Sequence, residues 1–268
     1  MSDQAISFEN VSKRFRLLKI PHRAFQEVFV NIFNREARGK HYFWALQEVS
    51  FSIKAGETVG ILGTNGSGKS TILKLISRII DPDTGVIKVA GRLSALLELG
   101  AGFHPDLTGR ENIYLNGSIL GLNRQAMDRK LDDIIGFAGI GEFIDTPVRS
   151  YSSGMQMRLG FSVAIHVEPE IILVDEVLAV GDYSFQLKCL ERIRQLQKQG
   201  VTILFVSHDF EAVESLCSRA IWLEQGRLQG DGAVTGILAE MRARYHWGSK
   251  QKIASVKEAI SELDELIV

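Results

Sequence analysis

Cysteine is nearly absent: Cys189 and Cys217 are the only two in 268 residues. Neither belongs to a CxxC pair or stands at ligand spacing from a histidine. Disulfide-stapled and zinc-ribbon folds are therefore excluded, and both thiols are expected to be reduced and packed, in a cytosolic setting. An excess of either charge is lacking too. Lys plus Arg number 31 against 32 Asp plus Glu, a formal net charge of −1, which excludes attachment to nucleic acid or anionic lipid by bulk charge. No apolar run approaches the ~20 residues that cross a bilayer, and the stretch MSDQAISFENVSKRF has no apolar core of signal-peptide type. Proline is scarce, 5 residues against 25 glycines, so the chain's shaped turns rest on glycine. What remains is a globular chain with 45% hydrophobic residues, long enough for one large domain or two modest ones.

Two hydrophobic patterns occur. Ile6 to Val11, and again Val49, Phe51 and Ile53, alternate, which predicts antiparallel strands with one covered face. Thr58 to Leu62, Ile171 to Val174 and Val201 to Val206 are short continuous apolar runs, as expected of strands buried on both faces of an α/β sheet. Residues 106 to 150 read as mostly helical. Thr108 and Glu111 have capping-box spacing, and Leu131, Ile134, Ile135 and Ala138 keep a helical period. In the tail, Ile253, Val256, Ile260, Leu263 and Ile267 recur at near-heptad spacing over only about two heptads, too short to define a coiled coil.

The run Gly63, Thr64, Asn65, Gly66, Ser67, Gly68, Lys69, Ser70, Thr71 follows the strand at Leu62 and precedes the helical array Ile72, Leu73, Leu75, Ile76. This is GxxxxGK[ST] in its strand–loop–helix context. Glycines let backbone N–H groups turn inward around a phosphate, and the helix start adds partial positive charge. Lys69 would reach the outer phosphates and Ser70 would offer a hydroxyl to Mg²⁺. Downstream, Asp175 and Glu176 end an apolar strand. A parallel strand beside the loop would deliver Asp175 to the metal shell and Glu176 toward the attacking water. A nucleoside phosphate with Mg²⁺ is what these residue types imply.

A third element is Tyr151, Ser152, Ser153, Gly154, Met155, followed by a helix-like run to Val167 and then by the acidic strand. In this order the chain, over roughly residues 5 to 235, resembles the ATP-binding-cassette ATPases. The resemblance implies an α/β P-loop cassette with a mainly parallel core sheet, an antiparallel β subdomain, a helical lobe at about 103–165, and a helical tail over 236–268. It also implies that Ser152, Ser153 and Gly154 act on the ATP of a second subunit in a head-to-tail homodimer. Asp182 falls in the D-loop position and His208 in that of the switch histidine that contacts the γ-phosphate. Glu98 or a neighbour is the candidate for the place of the usual glutamine before the lobe, and with it for a further contact to the metal beside Ser70 and Asp175. Phe15 and Tyr42 to Trp44 each lie near a plausible adenine-stacking position.

One branch is especially similar: the ATPases of exporters that move lipid-linked O antigen, capsule or teichoic acid. Gly102 to Asn112, the form Tyr-Ser-Ser-Gly-Met, and Val174 to Asp182 carry that resemblance. It implies an ATP-hydrolysing subunit at the cytoplasmic face, peripheral beneath integral membrane permease subunits, with no direct nucleic-acid contact. ATPases of other transporter classes, or soluble cassettes acting on nucleic acid or ribosomes, are the alternatives. The latter usually carry tandem cassettes or a long coiled-coil insertion, and neither is visible.

An insertion separates Phe15 from the strand at Val49. Within it, at about 21–36, Phe25, Val28, Phe29, Ile32 and Phe33 follow i, i+3, i+4, i+7, i+8, which predicts an amphipathic helix. That face either packs on its own domain or meets the membrane partner through Phe25, Phe29 and Phe33. After Gly236 only about 30 residues follow, fewer than the ~50 of a small domain. Glycan recognition is therefore expected mainly in partner subunits.

Overall fold

The computed structural model describes residues 4–16, 42–96, 100, 102–175, 181–207 and 210–245. The alternating segments form strands β1 (Gln4–Arg16) and β2 (Tyr42–Lys54), antiparallel, with Phe8 opposite Phe51 and Ile6 opposite Ile53. The Phe8 and Phe51 rings stack at 4.5 Å between centroids, an aromatic cross-strand pair that fixes register. The continuous apolar run Thr58–Leu62 is β3, and helix α1 (Lys69–Ile76) follows the glycine-rich loop. Strand β4 (Thr84–Val89) returns to the other side of β1, giving a small sheet of order β2-β1-β4.

The main sheet has the order β5-β6-β7-β3-β8-β9. Its further members are β5 (Leu93–Ala95), β6 (Ile171–Asp175), β7 (Thr202–Val206), β8 (Arg219–Glu224) and β9 (Arg227–Ala233). All neighbours are parallel except β8 and β9, which form an antiparallel hairpin. The central strands are unbroken apolar runs because both faces are covered. Val59, Ile61, Ile171, Leu173, Leu204, Val206, Ile221 and Leu223 turn to α1 and the small sheet. Their neighbours Leu62, Ile172, Val174, Ile203, Phe205 and Trp222 turn to the opposite layer. That layer is built from α5 (Ser153–His166), α6 (Tyr183–Lys198), α7 (Phe210–Leu216) and α8 (Val234–Tyr245). Helix α8 begins ahead of residue 236, and Val234, Ile237, Leu238 and Met241 are buried in this core.

The helical lobe comprises α2 (Gly109–Ile119), α3 (Arg124–Asp128), α4 (Leu131–Ala138) and the start of α5. It has a separate core of Ile113, Met127, Ile134, Ala138, Ile144, Leu159 and others. The expected capping box is present: Thr108 accepts from the Glu111 N–H, and the Glu111 carboxylate accepts from the Thr108 N–H at 2.8 Å. Asn112 is fully buried. Its amide oxygen accepts from the His104 N–H at 2.7 Å, and its Nδ2 donates to the carbonyls of His104, Leu107 and Thr108. Glu111 and Asn112 therefore fold the turn that starts the lobe.

Both cysteines are buried and unpaired. Burial pushes the Cys217 thiol up to about 12 and raises that of Cys189 as well. Among the described residues no helix is long and apolar enough to cross a membrane. The amphipathic segment with Phe25, Phe29 and Phe33, and the tail from residue 246, lie outside the described residues.

Asn112→Ala strips the 104–108 turn of a buried amide that serves four backbone groups. The expected cost is about 2–3 kcal/mol, read as a lower urea midpoint at unchanged slope.

Candidate nucleotide site

The loop between β3 and α1 closes on its own lysine. Lys69 is buried, at 7% exposure, and its Nζ donates to the Gly63 carbonyl at 2.8 Å and the Thr64 carbonyl at 3.1 Å. The Ser67 N–H donates to Thr64 O at 3.1 Å, so the loop is a compact backbone ring. Gly68 caps α1 at φ 110. A Cβ there would stand 2.7 Å from both the Ala45 carbonyl oxygen and Leu46 Cδ2, so the position requires glycine both for its dihedral and for its closeness to β2.

Strand register brings Asp175 to this loop, although β6 is not the neighbour of β3. Asp175 pairs with Val206 of β7, and Val206 pairs with Ile61 of β3. The three residues form one row, so Asp175 is level with the end of β3 from two strands away, about 10 Å at ordinary strand spacing. It lines a cleft of about 310 Å³ with Asn65, Gly66, Gly68, Lys69, Ser70 and Thr71. The cleft's remaining wall is Phe15, Phe43 and Ala45 from the small sheet, where Phe15 pairs with Phe43. Tyr42 and Trp44 alternate away from it and flank the Arg14 guanidinium, at 4.6 and 5.6 Å from its carbon to the ring centroids. Of the candidate aromatics, sequence reasoning left all open; β-strand alternation separates two that line the cleft from two that do not.

The Tyr151 to Met155 motif lies at the start of α5. Ser152 is the N-cap, and its hydroxyl accepts from the Met155 N–H at 3.2 Å. Ser152, Ser153 and Gly154 are not among the residues lining the cleft. Asp182 caps α6, accepting from the Phe185 N–H at 2.9 Å and the Ser184 hydroxyl at 2.7 Å. These hydrogen bonds, that of Ser184 first, hold its carboxyl below the usual range. Arg158, from the middle of α5, links the two regions. Its Nε donates to Ala138 O at 2.9 Å, Nη1 lies 3.7 Å from Asp182 Oδ2, and the guanidinium rests 5.0 Å from the Phe185 ring centroid. Glu98, Glu176 and His208 lie outside the described residues; Glu176 directly follows β6, and His208 lies two residues beyond β7.

Two contributors were not singled out from sequence. Arg158 offered no motif of its own. The Gln225–Gly226 turn between β8 and β9 reaches the phosphate loop, where the Gly226 N–H donates to the Ser67 carbonyl at 3.0 Å. Its only sequence signal was a glycine between two apolar runs.

Fold and cleft together define a P-loop nucleotide-binding domain. The chain belongs to the ABC transporter family, which matches residues 46–179. It is 46% identical over 247 residues to the O-antigen export system ATP-binding protein RfbB of Klebsiella pneumoniae, covering 88% of this chain and 96% of that one. The teichoic acids export ATP-binding protein TagH of Levilactobacillus brevis is 42% identical over 90% of this chain and 66% of its own length. Among solved structures, an ATP-binding subunit of an ABC transporter superposes with TM-score 0.69 at 22% identity, covering 97% of this chain and 99% of that one. A dimeric post-hydrolysis structure of an ATP-binding cassette with ADP and Pi gives 0.68, also at 22% identity, over 85% and 98%. At that identity these two establish the fold: an ABC ATPase cassette.

Gly68→Ala forces a Cβ against Ala45 and Leu46 in a left-handed backbone. Nucleotide affinity is expected to fall by at least about tenfold, measured by titration with a fluorescent ATP analogue.

Proposed function

We propose that the chain is the ATP-binding and ATP-hydrolysing subunit of an ABC transporter that exports a lipid-linked polysaccharide of the O-antigen, capsule or teichoic-acid kind. The observation that carries this reading is similarity along nearly the whole of both chains to an O-antigen export ATP-binding protein. Its position would be peripheral, at the cytoplasmic face, as a head-to-tail homodimer beneath integral membrane permease subunits. Glycan recognition would fall mainly to those partners.

The cleft's chemistry supports the ATPase part. The N–H groups of residues 63 to 71 and the start of α1 offer donors and partial positive charge to phosphates. Lys69, held by two loop carbonyls, is poised to exchange them for the outer phosphate oxygens. Phe15 and Phe43 offer rings for the base. Ser70 and Asp175 line one cleft, and a hydroxyl with a single carboxylate suits Mg²⁺, which takes its remaining ligands from phosphates and water. When bound, that ion neutralises charge on the β- and γ-oxygens.

Glu176 would align the attacking water and His208 would contact the γ-phosphate. Ser152, Ser153 and Gly154 sit at a helix start away from the cleft of their own chain, and that placement suits donation to the γ-phosphate bound by a second copy. Asp182, fixed as the α6 cap beside Arg158, would lie in the D-loop between the two sites. ATP would then close the dimer and hydrolysis would release it.

Glu176→Gln is expected to lower phosphate release by at least about 10²-fold while ATP still binds and traps dimers on gel filtration; full turnover would refute the assigned role. Phe29→Asp with Phe33→Asp is expected to impair polysaccharide export in cells and to leave ATP affinity of the purified protein intact. Normal export with a folded protein removes a partner-facing role for the segment from Phe25 to Phe33.

A further inference from the structure

The phosphate loop is gripped at both ends by one hairpin. Its first residue, Gly63, lies so close to β8 that a Cβ there would fall 2.4 Å from the Leu223 carbonyl oxygen. Near its other end, the Ser67 carbonyl accepts from the Gly226 N–H at 3.0 Å. Gln225 and Gly226 have φ of 48 and 74, and Glu224 pairs with Arg227: this is a two-residue turn with both central residues left-handed, the geometry that matches strand twist. The turn has no slack. The Gly226 carbonyl accepts from the Gln47 N–H at 2.8 Å, and a Cβ on Gly226 would lie 2.6 Å from the Ala45 oxygen.

The residue immediately before the turn is held from elsewhere. Glu224 has a side chain only 18% exposed, and the last two described residues of α8 occupy both its oxygens. The Tyr245 hydroxyl donates to Oε1 at 2.5 Å, and Arg244 Nη2 lies 2.7 Å from Oε2. Both partners also pack on buried Trp222. The Arg244 guanidinium carbon is 5.3 Å from its ring centroid, and the Tyr245 ring meets it edge-on at 6.2 Å. Trp222 is the register partner of Leu62, the last residue of β3 before the loop. The end of α8 thus fixes β8 at both residues that flank Leu223.

We propose that Glu224 is a positioning residue for the phosphate loop, and that Arg244 and Tyr245, by holding it, let the end of α8 set the loop's affinity for nucleotide. This rests on the reading of the loop as the ATP site. The relay is short: carboxylate, two-residue turn, Ser67 carbonyl. A helix end that is engaged on Glu224 holds the loop in its binding shape; a helix end drawn away releases the turn and lowers affinity. Whatever is attached to or bound at the end of α8 therefore acts on ATP binding without touching the cleft.

The test is titration of the full chain with a fluorescent ATP analogue and Mg²⁺, well below the melting temperature of every variant, with Lys69→Ala as reference. Tyr245→Phe keeps the ring against Trp222 and removes only the hydroxyl, so folding is preserved. Combined with Arg244→Met it is expected to raise Kd about fivefold. Glu224→Ala should give most of that loss, and adding it to the pair should cost clearly less than the sum of the two, because the pair acts chiefly through that carboxylate. Glu224→Gln, which still accepts from Tyr245, should recover part of the affinity. A role confined to stability would lower the melting temperature and leave Kd unmoved. Kd within about twofold of the parent in both the pair and Glu224→Ala, with binding lost in Lys69→Ala, overturns the relay. Parent-like binding in Lys69→Ala instead overturns the phosphate-site reading beneath it.

Discussion

A buried ammonium dictates the shape of the loop on which this molecule turns. Lys69 is 7% exposed, and a cation taken out of water must find partners or become too costly to keep. It finds them in the carbonyls of Gly63 and Thr64, six and five residues back, so the chain between has to curl round it. That curl leaves no room at Gly63 and Gly68 for any side chain. It also presses the loop against β8 on one side and β2 on the other. β3 lies between β7 and β8, and α1 rises directly from the loop, so the ring is anchored at both ends in regular structure.

The cleft above the ring is assembled from two sheets that pack on one core, and the helical lobe beside it has a core of its own. Phe15, Phe43 and Ala45 come from the antiparallel sheet, and the loop and Asp175 from the parallel one. Ser152 begins a helix shared between the main body and a lobe whose interior is separate. Arg158 crosses that division. It accounts for a carbonyl of α4, the cap of α6 and the face of Phe185 with one side chain. A charge so distributed ties the lobe to the body by directional contacts, whereas α5, buried along Leu159 to Ile165, supplies the nonpolar attachment.

Much of this was legible in the residues. Period-two alternation marked β1 and β2, continuous apolar runs marked β3, β6 and β7, and Thr108 with Glu111 announced the start of α2. Those signals are local, set by which faces a strand or helix turns to water. Glycine spacing before Lys69 marked the loop for the same reason. What the sequence withheld was lateral order. Asp175 reaches the loop across an intervening strand, and no pattern within Ile171 to Asp175 states that β7 stands between. Likewise Phe15 and Tyr42 to Trp44 are equivalent as letters. Only pairing of β1 with β2 turns one ring pair toward the cleft and the other onto Arg14. The Gln225–Gly226 turn was opaque because its role lies in a backbone hydrogen bond to a loop more than 150 residues earlier.

The scarcity of cysteine has a practical side. Both thiols are packed in the interior and held protonated by burial, so at neutral pH the folded surface presents no thiolate of its own. A single cysteine placed on the lobe, on the hairpin or at the end of α8 would be the sole ready nucleophile for a maleimide dye. Distances between chosen points could then be followed through a nucleotide cycle in the otherwise unaltered chain, without first removing a native residue.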